Sequence, residues 1–170
     1  SPPAIQPSRT TGKGTLNIND NSQVSFGNQT TYVGYRFGTG IVNQVSGTVR
    51  TVGEVRVGGS DSSGVFTNGA GFYNLSGGAA YLGALTVARG NNNQNQCSGY
   101  VTVSNATMVV TNDVIIGYAG INNIGRLTIE NGGVFNIAPT ATKWFHVGYW
   151  DYTRGETIVN AGGTLNLLTN

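Results

Sequence analysis

The densest group of reactive side chains lies in "HVGYWDYTRGE" at 146–156, which holds His146, Asp151, Arg154 and Glu156. Asp151 and Glu156 are of the type that forms an acid pair for polysaccharide cleavage, with Trp150 beside them as a platform for a sugar ring. The plainer alternative is a solvated loop with local ion pairing. The other acids, Asp20, Glu54, Asp61, Asp113 and Glu130, are scattered and form no matched pair, so the sequence assigns no catalytic residues and leads us to expect no enzyme. His146 is the single histidine, which excludes a multi-histidine metal site. Cys97 is the single cysteine, which excludes an internal disulfide and a Cys-based zinc site. It stands in the polar stretch "NNNQNQCSG" and reads as a loop thiol, either merely tolerated or used to cross-link two chains. No cofactor is implied.

Aromatic residues offer a second kind of chemistry. Tyr35, Tyr118 and Tyr149 each follow the glycine of a recurring phrase, and Trp150 and Tyr152 extend the last of these, with Phe37 near the first. Such residues on one edge would mark a surface for glycan or for protein; the alternative is local packing over a turn. The triplets at Asn28, Asn74 and Asn105 fit a glycosylation pattern, but a chain this rich in Asn and Thr supplies them by chance.

The elements that must position these residues are strands. Charged residues are only 9% of the 170 and glycines number 27, yet short alternating apolar runs recur throughout, as disordered segments lack. The net charge of +2 gives no strong preference for nucleic acid or anionic membrane. No apolar run is long enough for a membrane-spanning helix, so no membrane insertion is expected. The start, "SPPAIQ", has neither Met nor an apolar signal region, which suits a mature exported chain or a trimmed one.

Alternation and glycine spacing then resolve into a repeat. A first phrase runs "KGTLNI" at 13–18, "SGTVRT" at 46–51, "GGAAYL" at 77–82, "NATMVV" at 105–110, "GGVFNI" at 132–137 and "GGTLNL" at 162–167. A second reads "YVGY" at 32–35, "RVGG" at 56–59, "TVAR" at 86–89, "IIGY" at 115–118 and "HVGY" at 146–149. A third reads "GIVNQ" at 40–44, "GFYNL" at 71–75, "GYVTV" at 99–103, "GRLTI" at 125–129 and "GETIV" at 155–159. Three short strands per unit, in constant order, predict an all-β parallel β-helix of about five coils over residues 13–170, with no significant helix.

Alternation places Val33, Val57, Val87, Ile116 and Val147 inward in the second phrase, and Tyr32, Arg56, Thr86, Ile115 and His146 outward. The first phrase adds Leu16, Val49, Val109, Phe135 and Leu165 to the core, and the third adds Val103, Leu127 and Ile129. Residues 1–12, "SPPAIQPSRTTG", stand outside the repeats as an extended Pro-rich arm, either a loose terminus or an arm laid along a neighbour.

Laid out this way, the pattern "VG-Y…G…LTI-x-NGG-x-x-NI" resembles the β-solenoid repeats of secreted and surface-exposed bacterial proteins, in the style of autotransporter-associated β-strand repeats. The resemblance covers most of residues 13–170. It implies a right-handed parallel β-helix, an extracellular or cell-surface setting and no catalytic residues. Members of such families are usually much longer.

The ends of the repeat carry the functional expectation. A solenoid exposes unpaired backbone and apolar side chains at each end, which natural proteins usually cover. "AGGTLNLLTN" supplies neither charge nor cap, and "GTLNI" at 14–18 nearly matches "GTLNL" at 163–167. The expected interface is Pro2, Pro3, Ile5, Leu16 and Ile18 on one copy against Leu165, Leu167 and Leu168 on the next, giving an open head-to-tail homopolymer. Two alternatives stay open: a surface β-helix that binds or degrades polysaccharide, and a piece of a long adhesin.

Overall fold

The computed structural model describes residues 4–5, 12–59, 69–90, 96–138 and 144–167. Eighteen strands wind through them with no helix among them. The first rung holds β1 (Ala4–Ile5), β2 (Lys13–Ile18) and β3 (Gln23–Gly27), and the second β4 (Thr31–Tyr35), β5 (Thr39–Gln44) and β6 (Thr48–Thr51). The third holds β7 (Glu54–Gly59), β8 (Gly69–Leu75) and β9 (Ala79–Leu82), and the fourth β10 (Ala84–Arg89), β11 (Cys97–Ser104) and β12 (Thr107–Val110). The fifth holds β13 (Val114–Tyr118), β14 (Asn123–Glu130) and β15 (Val134–Ile137), and the sixth β16 (Phe145–Tyr149), β17 (Thr153–Val159) and β18 (Thr164–Leu167).

Every third strand pairs in parallel, giving three six-stranded sheets. Sheet A runs β1-β4-β7-β10-β13-β16, sheet B β2-β5-β8-β11-β14-β17, and sheet C β3-β6-β9-β12-β15-β18. The chain is thus a β-solenoid with three strands per coil, and about five turns separate its first rung from its last.

The core is a set of stacked columns. Val33, Val57, Val87 and Ile116 align in sheet A and are all fully buried. Val101 and Leu127 align in sheet B, as do Val103 and Ile129. Each such buried side chain stabilises the rod by about 1.5–3 kcal/mol before its ordering entropy is subtracted.

Two expectations change. Met108 pairs with Ala80 and Phe135 and is buried, whereas Val109 points outward beside Tyr81 and Asn136. "TMVV" is apolar at both parities, so alternation alone could not choose. "KGTLNI" belongs to sheet B, where Gly14 aligns with Gly40 and Leu16 with Val42, while "GGTLNL" ends in sheet C. The two near-identical phrases therefore occupy different sides of the rod.

The expected arm also contributes to the repeat. Ala4 pairs with Tyr32 and Ile5 with Val33, so β1 completes the first rung of its own chain. Pro2, Pro3 and Leu168 lie outside the described residues.

Sheets A and B meet closely at one inner corner. Gly40, Gly71, Gly99, Gly125 and Gly155 stack in one column of sheet B. A Cβ on Gly71 would lie 2.1 Å from the Gly58 nitrogen and 2.2 Å from the Val33 oxygen. Gly58 has φ +69 and makes the facing bend, which only a small or left-handed residue fills without strain. One polar group is accommodated within the core: the Tyr73 hydroxyl donates to Gln44 Oε1 at 2.8 Å, and Gln44 Nε2 donates to the Ala79 oxygen at 3.0 Å. Pairing of this kind removes most of the penalty of burying the amide.

Candidate functional site

The most distinctive surface is the edge formed by β16, β17 and β18. Val147, Val159 and Leu167 continue inward-facing columns, yet they are 43%, 47% and 56% exposed. Their neighbours one rung back, Ile116, Ile129 and Ile137, are at most 5% exposed. Leu165 is half-buried and packs on the core. On the opposite edge Leu16, Val24 and Phe26 are likewise only partly buried against it, while Ile18 is buried. Both edges present backbone groups with no in-chain strand beyond them among the described residues.

Of the assembly residues expected from sequence, Ile5, Leu16 and Ile18 lie on strands of the first edge and Leu165 and Leu167 on a strand of the last. β17 and β2 are the two ends of sheet B, and β18 and β3 the two ends of sheet C, so a junction that continued the sheets would set β17 on β2 and β18 on β3. Such a junction would set Thr157 and Val159 against Leu16 and Ile18, and Leu165 against Val24, with the two TLN phrases on different sides of the rod.

An aromatic row runs along the outer side of β16. Trp144 meets His146 edge-on at 5.2 Å, and His146 meets Tyr149 at 4.6 Å between ring centroids. Tyr149 stacks on Tyr118 at 5.4 Å, and Trp150 lies 6.3 Å from Tyr149. Trp144, Trp150 and Tyr152 are each more than half exposed. Of the residues expected to share this patch, Tyr118, Tyr149 and Trp150 come together. Tyr152 stands nearby in the turn before β17, and Tyr35 does not join. Two rungs carrying Gly59 and Arg89 separate Tyr35 from Tyr118, and Tyr35 packs on Tyr32 instead. Trp144 and His146 were not expected in the row, because alternation places a residue on a face without saying which faces are contiguous.

Trp150 and Tyr152 stand at left-handed backbone positions, with φ of 87° and 64°. The preceding rung fills the corresponding places with Ala119 at 42° and Asn122 at 59°. A bulky side chain in this region costs about 1–3 kcal/mol and collects at functional sites.

A second polar group lies on the outer face of sheet A. Arg56 binds Glu54 at 2.7 Å and donates to the Tyr32 hydroxyl at 2.8 Å, and Thr86 and Arg89 also reach Glu54. Arg89 then covers the Tyr118 ring at 4.8 Å. These contacts explain why Tyr32 and Thr86, although on the outer face, are buried. Burial would raise the Glu54 pKa, but Arg56, Thr86 and Arg89 outweigh it and hold the carboxyl below its ordinary value of 4.5. A lowered folded pKa stabilises above the unfolded value and loses that contribution as pH falls through the folded one. Glu54→Gln should therefore lower Tm at neutral pH, with the gap to wild type closing in acid below 4.5; thermal melts across pH read this directly.

The two carboxylates named as an acid pair stand in different settings. Glu156 is held by Arg126 at 2.7 Å and by Arg154. Both arginines hold its pKa down, the opposite of what a proton donor needs. Asp151 is exposed in the turn between β16 and β17. Cys97 is not a loop thiol: it opens β11, is buried, and its pKa is pushed up to about 12 by burial. Burial and a raised pKa both disfavour the thiolate that a cross-link between chains would need. Asn28, Asn74 and Asn105 are exposed, and Asn74 donates to Asn43 at 2.9 Å in a short asparagine ladder. Among the described residues no group of three or more His, Cys, Asp or Glu side chains could hold a metal ion, and no helix is long and apolar enough to cross a membrane.

Fold and edges together define a β-solenoid repeat protein. No protein-family model, curated protein or solved structure matches the chain.

Proposed function

We propose that this chain is a structural subunit of an extracellular filament, in which copies stack head to tail through the β16–β18 edge of one and the β1–β3 edge of the next. What carries the proposal is the exposure of Val147, Val159 and Leu167, whose column neighbours one rung back, Ile116, Ile129 and Ile137, are buried. An added rung would bury these side chains and pair the free strand edges at once. A second copy suits this role because its first rung has the same three-sheet cross-section, and β2 and β3 alternate inward and outward as the later strands do. The contact is heterologous and does not close, so it propagates. The repeat style of secreted surface proteins supports an extracellular setting. The same edge would also receive further coils of one longer polypeptide, as in an adhesin, and the mass of the native product distinguishes that case.

Light scattering over a concentration series tests the proposal. Mass should grow without limit as rods lengthen; a constant monomer mass at high concentration would refute it.

The register makes a further prediction. Lys13 heads the outward column that ends at Arg154, so these two cations meet across the junction. Like charges opposite one another cost about 0.2–1 kcal/mol, and Glu156 beside Arg154 moderates this. Lys13→Glu should lower the critical concentration for assembly by up to about fivefold, with the larger effect at low salt. An unchanged or raised critical concentration would show that the copies join in another register.

A further inference from the structure

We infer that the aromatic row on β16 is a socket for the proline-flanked first strand of a second copy. The inference rests on the stacking proposed above and names the residues that give it specificity.

The column of Tyr32, which begins at Ala4, ends at His146; the column of Val33, which begins at Ile5, ends at Val147. A following copy therefore brings Ala4 over His146 and Ile5 over Val147. Around these positions the two sequences match in spacing. Pro2 stands two residues before Ala4, as Trp144 stands two before His146. Pro7 stands two residues after Ile5, as Tyr149 stands two after Val147. Three of the chain's four prolines lie within three residues of β1. A proline carries no N–H for a sheet ladder, so prolines beside a two-residue strand add little pairing of their own. Proline rings do suit aromatic-lined grooves, where an extended segment binds with little loss of entropy.

The row has the length and direction for such a segment. Trp144, His146 and Tyr149 follow one another along β16, and Trp150 continues past its end. Trp150 and Tyr152 also hold left-handed positions where the preceding rung uses Ala119 and Asn122. A coil corner alone does not call for a large ring there, and a socket does.

Trp144 and Trp150 are the only tryptophans in the chain, so intrinsic fluorescence reports on the socket without a label. Emission of the wild-type chain should move to shorter wavelength as association proceeds. Trp150→Gly with Tyr152→Gly relieves the backbone, so its Tm should not fall, yet association should weaken at least tenfold, equivalent to about 1.4 kcal/mol. Trp144→Ser, at an exposed and unstrained position, should weaken it too. Replacing Pro2, Pro3 and Pro7 with Ala should give the same loss with the aromatic row intact. Wild-type rods together with variants that assemble normally would overturn the socket and leave stacking in place. A wild type that never associates would overturn both. An emission shift on adding soluble polysaccharide to a chain that stays monomeric would assign the row to glycan and overturn the inference.

Discussion

Val159→Asp should leave the monomer folded and abolish the proposed end-to-end association. Val159 is 47% exposed on the free edge, so a carboxylate there remains in water until a second copy arrives. In the stack the same carboxylate would face Ile18, the buried head of its column, with no cation in that column to pair it. Desolvating one unpaired ion costs several kcal/mol, and about 4 kcal/mol is already roughly a thousandfold in affinity. Sedimentation velocity and a thermal melt on the same sample check the two halves: a single slow species and a nearly unchanged Tm. One rung back the same substitution acts differently. Ile129 is fully buried, and Ile129→Asp should prevent folding. If Val159→Asp assembled like wild type, this edge would not be the interface.

Gly71→Ala should destroy the fold, although it adds only a methyl group. Its Cβ would sit 2.1 Å from the Gly58 nitrogen, 2.2 Å from the Val33 oxygen and 2.7 Å from the Val57 carbonyl carbon. All three are backbone atoms, two from the adjoining strand of the same rung and one from the preceding rung, so no side chain can swing aside. Relief requires sheets A and B to separate at a corner repeated in every coil, with a cost above about 4 kcal/mol, in the range where single changes unfold domains. Gly27→Ala is the matched control. Gly27 has φ +72 but nothing within 4 Å of its added Cβ, so it should cost only the left-handed strain of about 1–2 kcal/mol. Urea denaturation followed by circular dichroism separates the two. Equal stabilities would mean that the corner is looser than these distances require.

These glycines also explain how far the sequence could be read. Sheets A and B were legible because every phrase but TVAR at 86–89, where Ala88 takes the place, ties an apolar alternation to a glycine, and the glycine fixes parity. The register of "GIVNQ" through "GETIV" follows from that column alone. Sheet C has no such marker inside its strands, and there Met108 and Val109 were exchanged. "KGTLNI" fits either sheet, since both ask for polar residues outside and apolar ones within. β1 was illegible because two residues carry no period. The aromatic row was partly legible: a tyrosine after the glycine marks the rung edge, but rings meet across rungs only where intervening residues allow it. Gly59 and Arg89 end that continuity below Tyr118. The partnership of Gln44 with Tyr73 links residues 29 apart in sequence, and only the stacked register reveals it.

Cryo-electron microscopy of the concentrated chain tests the central claim most directly. The account predicts rods in which strand spacing of about 4.8 Å runs unbroken through every subunit junction, with β17 on β2 and β18 on β3. Isolated short particles at the highest concentration, or closed dimers joined through their sides, would contradict it.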